Sequence, residues 1–303
     1  MTKREPRRKT FLISIRNCAT NSLTTRFLCN TSGSGKTRLL FEGLWRHFGL
    51  YFTARTQPDG IGSGDLGKIF EQLPNRLFSL PKEDWDAYLQ FNRDIASRRF
   101  HAILYARLII FRIFLEHASS MPGGITDEHK GRWLLLQIAP TIFLKDDPFE
   151  VLSLELWDVP NGYFLRKIKR EKTTIDTLLQ GQRLFCVLDE AQVPTELASK
   201  CFKSGDEPYE DRPILRELII AWKGILPKLI ISGTGISMEK IDAVLSSATA
   251  KDGDKRLTFT DLGVFDSEEG QRAYLERYLP MGFLDSPSGK ALASRAAYWL
   301  HGR

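Results

Sequence analysis

No stretch of this 303-residue chain offers the ~18 consecutive uncharged apolar residues that a membrane-spanning helix needs. The most apolar run, Ala102 to Leu115, is broken by Arg107 and Arg112, so no membrane span is expected. Cysteine is scarce: Cys18, Cys29, Cys186 and Cys201 never come closer than eleven positions apart. That spacing excludes a CxxC metal knuckle and implies no disulfide framework, which suits a reducing, intracellular compartment. His47, His101, His117, His129 and His301 show no ligand spacing and read as structural or surface residues. Acids are nearly missing from residues 1–41, where Glu5 stands alone. Phe11 to Ile15 is too short an apolar core for secretion, and residues 11–25 are too β-branched and irregular for a good mitochondrial transit helix, although the lack of acids permits one.

What is present is an ordinary globular composition, 42% apolar and 26% charged, which excludes a disordered chain. At this length about two domains are expected. The net charge of +6 is concentrated in two places: residues 1–10 carry +4 and residues 165–172 (LRKIKREK) another +4, leaving the rest at −2. The body is therefore not basic, and a polyanion contact is expected only through residues 3–9 and 166–172.

Leu23 to Asn30 reads as a strand, followed by TSGSGKT and a helix over Arg38 to Phe48, with Gly49 as its stop. Leu50 to Ala54 reads as a second strand, and the Pro/Gly-rich segment after it as a loop. Within that loop Gly62-Ser-Gly-Asp-Leu-Gly67 matches a dinucleotide fingerprint, but it does not come directly off a strand. Glu83 to His117 is helical, as two helices or one. RWLLLQIAP is either helix or strand, and Pro160-Asn-Gly is a turn. Leu184–Leu188 and Leu229–Ile231 look like buried parallel strands. Strands alternating with helices predict an α/β fold with a mainly parallel sheet covered on both faces.

Asn30-Thr-Ser-Gly-Ser-Gly-Lys-Thr37 fits the phosphate-loop pattern GxxxxGK[ST] except at its first position, where Asn30 tolerates the required turn. The residue types supply the chemistry. Thr31, Ser32, Gly33, Ser34, Gly35 and Arg38 line a backbone cradle for ATP phosphates at a helix N-terminus. Lys36 reaches the β and γ oxygens, and the Thr37 hydroxyl binds Mg²⁺. LFCVLDEAQ sets Asp189 and Glu190 at the C-terminal end of a strand, the ligand-binding edge of an α/β sheet. Asp189 is expected to hold Mg²⁺ and Glu190 to activate the attacking water. LIISGTG ends a further strand in Ser232 and Thr234, with Thr234 expected to contact the γ-phosphate or that water.

NTSGSGKTRLL, GLYFTART, WLLLQIAP, LFCVLDEAQ, LIISGTG and YWLHGR together resemble the P-loop ATPase domain of fungal Crinkler-type proteins, within the AAA+ and STAND group, over roughly residues 23–303. The resemblance implies a P-loop NTPase with a five-stranded parallel core, the acid-bearing strand beside the P-loop strand, and ATP with Mg²⁺. The expected layout is a basic tail over 1–22, a core over 23–265 with a helical insertion at about 68–180, and a partial helical lid over 266–303. The family usually continues past this point, so a truncated gene model or a family fragment is expected. The resemblance implies a regulatory or effector-associated ATPase, cytoplasmic or nuclear. A secreted effector acting inside a host cell is the alternative, beside the mitochondrial one noted above. A nucleotide-dependent switch and a helicase-like fragment are the competing functions, but the stretch after Thr234 is too short for a second motor domain. An arginine supplied to the γ-phosphate is expected from Arg212 or Arg216 across a homo-oligomer, or from Arg303.

Overall fold

The computed structural model describes residues 24–30, 34–55, 60–182, 184–204, 209–226, 228–245, 257–259, 268–276 and 279–300. Five strands, β1 (Thr24–Asn30), β2 (Gly49–Thr53), β3 (Phe185–Asp189), β4 (Lys228–Thr234) and β5 (Leu257–Phe259), form one sheet in the order β2-β3-β4-β1-β5. Every pairing is parallel. The helices are α1 (Lys36–Arg46), α2 (Asp65–Gln72), α3 (Asp86–Ser120), α4 (Asp127–Ile138), α5 (Pro140–Phe143), α6 (Pro148–Glu155), α7 (Asn161–Leu178), α8 (Ile214–Trp222), α9 (Met238–Leu245), α10 (Glu268–Leu275) and α11 (Pro287–Leu300).

The period of two along each strand divides the interior between two faces. Leu28, Tyr51, Phe185, Val187 and Ile230 meet Leu40 and Leu44 of α1 and Leu134 of α4. Phe27, Leu50, Phe52, Cys186, Leu188, Leu229 and Ile231 join the larger cluster built on α3. The strands are buried on both sides, which is why they read as continuous apolar runs without polar alternation. Arg99 to Leu108 of α3 are all buried, so the middle of this single long helix is enclosed on every side, with α7 and α8 packed along it.

β4 separates the acid-bearing strand from the P-loop strand, against the expected adjacency of β3 and β1. Leu188 pairs with Ile231 on one side of β4, and Leu28 with Ser232 on the other. Strand order in a parallel sheet is set by where the crossovers land, and a crossover over one or two strands leaves no mark in local sequence. Gly49 is the first residue of β2 rather than a helix stop. A Cβ there would stand 2.6 Å from Leu44 and 2.9 Å from the Phe185 carbonyl oxygen, so the strand needs glycine for close approach. RWLLLQIAP is helical, and its Trp133 and Gln137 lie one turn apart facing the edge of β2. Trp133 Nε1 donates to the Gly49 carbonyl at 2.8 Å, and Gln137 Oε1 accepts from the Tyr51 N–H at 2.8 Å. These side chains occupy the free edge of the sheet where another strand would otherwise pair.

Three further expectations change. The GSGDLG segment is not simply a loop, because Asp65 opens α2 and is fully buried against Arg107. Pro160-Asn-Gly starts α7, with Pro160 as the cap and Asn161 bonded to His101 Nδ1 at 2.7 Å. Arg212 and Arg216 are buried within the chain, Arg212 paired with Glu210 at 2.8 Å and Arg216 with Glu217 at 2.6 Å. Neither projects toward a neighbour, since each charge is drawn to an acid on its own segment. Arg303 and the basic residues 3–9 lie outside the described residues. The segment 166–172 lies on α7, where Arg166, Lys169 and Arg170 are exposed while Glu171 is buried against Arg112. Cys29, Cys186 and Cys201 are buried free thiols, and Cys18 is outside the described residues. No described helix is long and apolar enough to cross a membrane.

Candidate functional site

The C-terminal ends of the strands bring the expected residues together from three separate parts of the chain. Two-residue alternation places Thr53, Asp189 and Ser232 on the face that carries α1, two positions beyond Tyr51, Val187 and Ile230. The turn into α1 is made by Gly35 at φ +84°, a left-handed conformation that suits glycine. No side chain caps this helix end, and its first turn carries no acid. The positive end of the helix dipole therefore meets neither a capping side chain nor a first-turn acid and suits an anion. Thr31, Ser32 and Gly33 lie outside the described residues. Ser34 Oγ is buried with no hydrogen-bond partner, and Arg38 is exposed on the first turn.

Thr37 Oγ1 donates to Asp189 Oδ2 at 2.8 Å, joining positions 152 residues apart. Asp189 is 3% exposed, and its Oδ2 also accepts from the Tyr51 hydroxyl at 3.3 Å, while Oδ1 accepts from the Glu190 N–H at 3.0 Å. Lys36 is 7% exposed. Burial lowers its affinity for a proton, opposed in order by the charges of Asp189, Glu190 and Cys29. The Tyr51 phenol is pushed well up, first by burial and then by the Asp189 charge. Cys29 is raised by burial and drawn back by Lys36.

Glu190 leaves the strand at φ +57°, a left-handed conformation uncommon for a residue with a Cβ. This turn separates its carboxylate from that of Asp189, so the two adjacent acids have different partners. Gln192 Nε2 donates to the Glu190 carboxylate, and Gln192 Oε1 accepts from the Thr234 N–H at 3.0 Å. A Cβ on Gly233 would lie 2.9 Å from that same Gln192 oxygen, so the glycine of SGTG makes room for the link. Ser232 is fully buried with an unpartnered hydroxyl, whereas the Thr234 side chain is half-buried at the strand end.

Sequence reasoning missed Tyr51 and the role of Gln192. A lone polar aromatic in the apolar strand GLYFT was the available signal for Tyr51. Gln192 stood in plain view in DEAQ, but its partners are set by the register of β3 against β4. Among the described residues no three His, Cys, Asp or Glu side chains converge as a metal cage. What converges is the Asp189 carboxylate with the Thr37 and Tyr51 hydroxyls, of which the Thr37 hydroxyl and one carboxylate oxygen suit Mg²⁺ held jointly with phosphate oxygens. No protein-family model matches the chain, and no curated protein matches its sequence. Chemically, the arrangement offers an uncapped helix N-terminus and a buried ammonium to an anion, a hard-cation position beside them, and a second carboxylate able to accept a proton.

Proposed function

We propose that this chain is a Mg²⁺-dependent P-loop ATPase. Within that class we place it with the AAA+ and STAND-like ATPases of Crinkler type, as an intracellular regulatory or effector-associated module, on the strength of the sequence resemblance. The observation that carries the reading is the Thr37–Asp189 hydrogen bond at 2.8 Å beside the buried Lys36. It unites the hydroxyl and carboxylate that P-loop enzymes use for the metal with the lysine they use for phosphate. The unpartnered Ser34 hydroxyl and the uncapped start of α1 fit the phosphates. When bound, Mg²⁺-ATP supplies an electrophilic phosphoryl group whose charge the metal partly neutralises.

In this reading Thr37 and Asp189 hold the metal, and Lys36 with the residue 34–37 backbone holds phosphate oxygens. Glu190 accepts a proton from water, and Thr234 lines the γ end. Gln192 sets the direction of the Glu190 carboxylate. With Arg212 and Arg216 buried, the proposed sources of an arginine for the reaction are Arg303 and another copy of the chain in a homo-oligomer. Polyanion contact through 3–9 and 166–172 is a secondary proposal, resting on exposed Arg166, Lys169 and Arg170.

Mg²⁺-ATP at 100 times its Kd is expected to stabilise the wild type by about 2.7 kcal/mol, and Lys36→Ala to abolish the shift. A thermal-shift series with millimolar nucleoside triphosphates tests this, and no shift with any of them overturns it. A nucleotide-dependent switch with little hydrolysis is favoured by one observation, the engagement of Glu190 by Gln192. Steady-state phosphate release separates the two readings. Gln192→Ala lowers turnover if the link orients the base and raises it if the link restrains the base.

A further inference from the structure

We propose that Arg76, Arg98, Arg99 and Trp157 form a second anion site, built from elements other than those of the nucleotide site, for a small phosphate dianion: inorganic phosphate or a phosphomonoester. Arg99 lies on α3 and is 3% exposed, with its guanidinium carbon 4.3 Å from the centroid of the Trp157 ring. Arg76, at the end of the short 3₁₀ turn Leu73–Arg76, approaches the same ring at 5.8 Å. Arg98 Nε, Arg99 Nη1 and Trp157 Nε1 are all buried donors without a hydrogen-bond partner. Orphaned buried donors are costly, more so when charged, and they seldom persist without a ligand or water to satisfy them.

Among the described residues the carboxylate opposing these charges is Asp158, 4.0 Å from Arg99 Nη2 and fully exposed, too far to be a hydrogen bond. Three guanidinium charges against one carboxylate leave two positive charges unbalanced. That excess matches a phosphate dianion and exceeds what a single carboxylate ligand would neutralise. The proton affinity of Arg99 is lowered to about 10, first by burial and then by the Arg76 and Arg98 charges, with Asp158 acting in the opposite direction. The planar donor forks of arginine match phosphate oxygens, and the indole N–H adds a donor of fixed direction. Arg76 is the exposed member and marks the side from which a ligand enters, displacing the weakly held Asp158.

The test uses the full chain carrying Lys36→Ala, so that phosphate binding at the P-loop does not contribute and the result stands apart from the ATPase reading. Isothermal titration is run with inorganic phosphate and separately with glycerol 3-phosphate, against sodium chloride at matched ionic strength. Saturable binding is expected in at least one phosphate arm, and the tighter arm identifies the source. Arg76→Gln and Arg98→Gln should each weaken it ~10-fold or more, and Arg99→Gln should remove it. Arg76 is exposed, so its variant keeps the test valid even if Arg99→Gln does not fold. Absence of saturation in both arms, a response equal to that of chloride, or undiminished binding in Arg76→Gln and Arg98→Gln would overturn the proposal.

Discussion

Asp65 and Asp189 are both buried carboxylates close to a buried cation, yet their surroundings differ in a way that separates structure from function. Asp65 is closed: Arg107 Nε and Nη2 grip its two oxygens at 2.8 and 2.9 Å, and both side chains are fully buried. The guanidinium is also covered by the rings of Phe149 and Phe52, at 4.0 and 4.9 Å. Asp189 sits at a strand end with hydroxyl partners, beside an uncapped helix and the unpartnered hydroxyls of Ser34 and Ser232. A bidentate pair covered by aromatic rings holds α2 to α3, and of its donors only Arg107 Nη1 is left without a partner. Hydroxyl partners can be exchanged for a metal, because they carry no charge that would be left stranded.

The sharpest way to break this comparison is to remove one charge from each region, the cation from one and the carboxylate from the other. Arg107→Met should destabilise the protein by about 3–5 kcal/mol, because Asp65 is left buried and uncompensated. Urea unfolding measures it, and the double variant Asp65→Asn, Arg107→Met should recover much of the loss. Asp189→Asn should cost far less, near the ~1 kcal/mol of ordinary hydrogen bonds, while removing the Mg²⁺ dependence of nucleotide binding. Equal losses in Arg107→Met and Asp189→Asn would show that both carboxylates are merely structural.

Next in size is the base. Glu190→Gln keeps shape and hydrogen-bonding capacity but accepts no proton, so turnover should fall about 10²-fold while the ATP-induced thermal shift is retained. Single-turnover phosphate release checks it, and wild-type turnover in this variant would remove Glu190 from the mechanism.

The smallest effects are pH effects with opposite signs. Tyr51 has its folded value raised above the ordinary 10, so its contribution to stability is complete below that pH and is lost as pH rises past it, where the unfolded phenol ionises first. Lys36 has its folded value lowered from 10.5, so its charge opposes folding at neutral pH and this opposition is relieved as pH climbs toward 10.5. Without nucleotide, Tyr51→Phe should therefore lose stability less steeply than wild type above pH 10. Lys36→Met should lack the gain between neutral pH and 10. Parallel melting curves for wild type and both variants would cancel this sign difference.

Legibility in the sequence followed how local each cause is. The phosphate-loop turn and the helix after it were readable because the loop glycines, Lys36, Thr37 and the apolar spacing of Leu40 and Leu44 all lie within a dozen positions. The β3 and β4 strands were readable because both faces are buried, so their residues run apolar without interruption. RWLLLQIAP was ambiguous for the complementary reason. Periodicity cannot distinguish a buried helix from a buried strand, and what resolves it is the meeting of Trp133 and Gln137 with the edge of β2. Arg212 and Arg216 misled because sequence shows an arginine's charge but not its burial.

By itself, the sequence determined an alternating α/β chain with strands buried on both faces, a glycine turn leading into a helix, and an acid pair ending a strand. Each follows from steric freedom, hydrophobic period or residue type over a few neighbouring positions. Only the tertiary structure decided that β4 lies between β3 and β1, that Thr37 meets Asp189 across 152 residues, and that Gln192 ties Glu190 to Thr234. Those contacts depend on the path of the crossovers and the register of the strands. Both are properties of the packed sheet as a whole, set by which apolar faces cover one another, and no short segment encodes them.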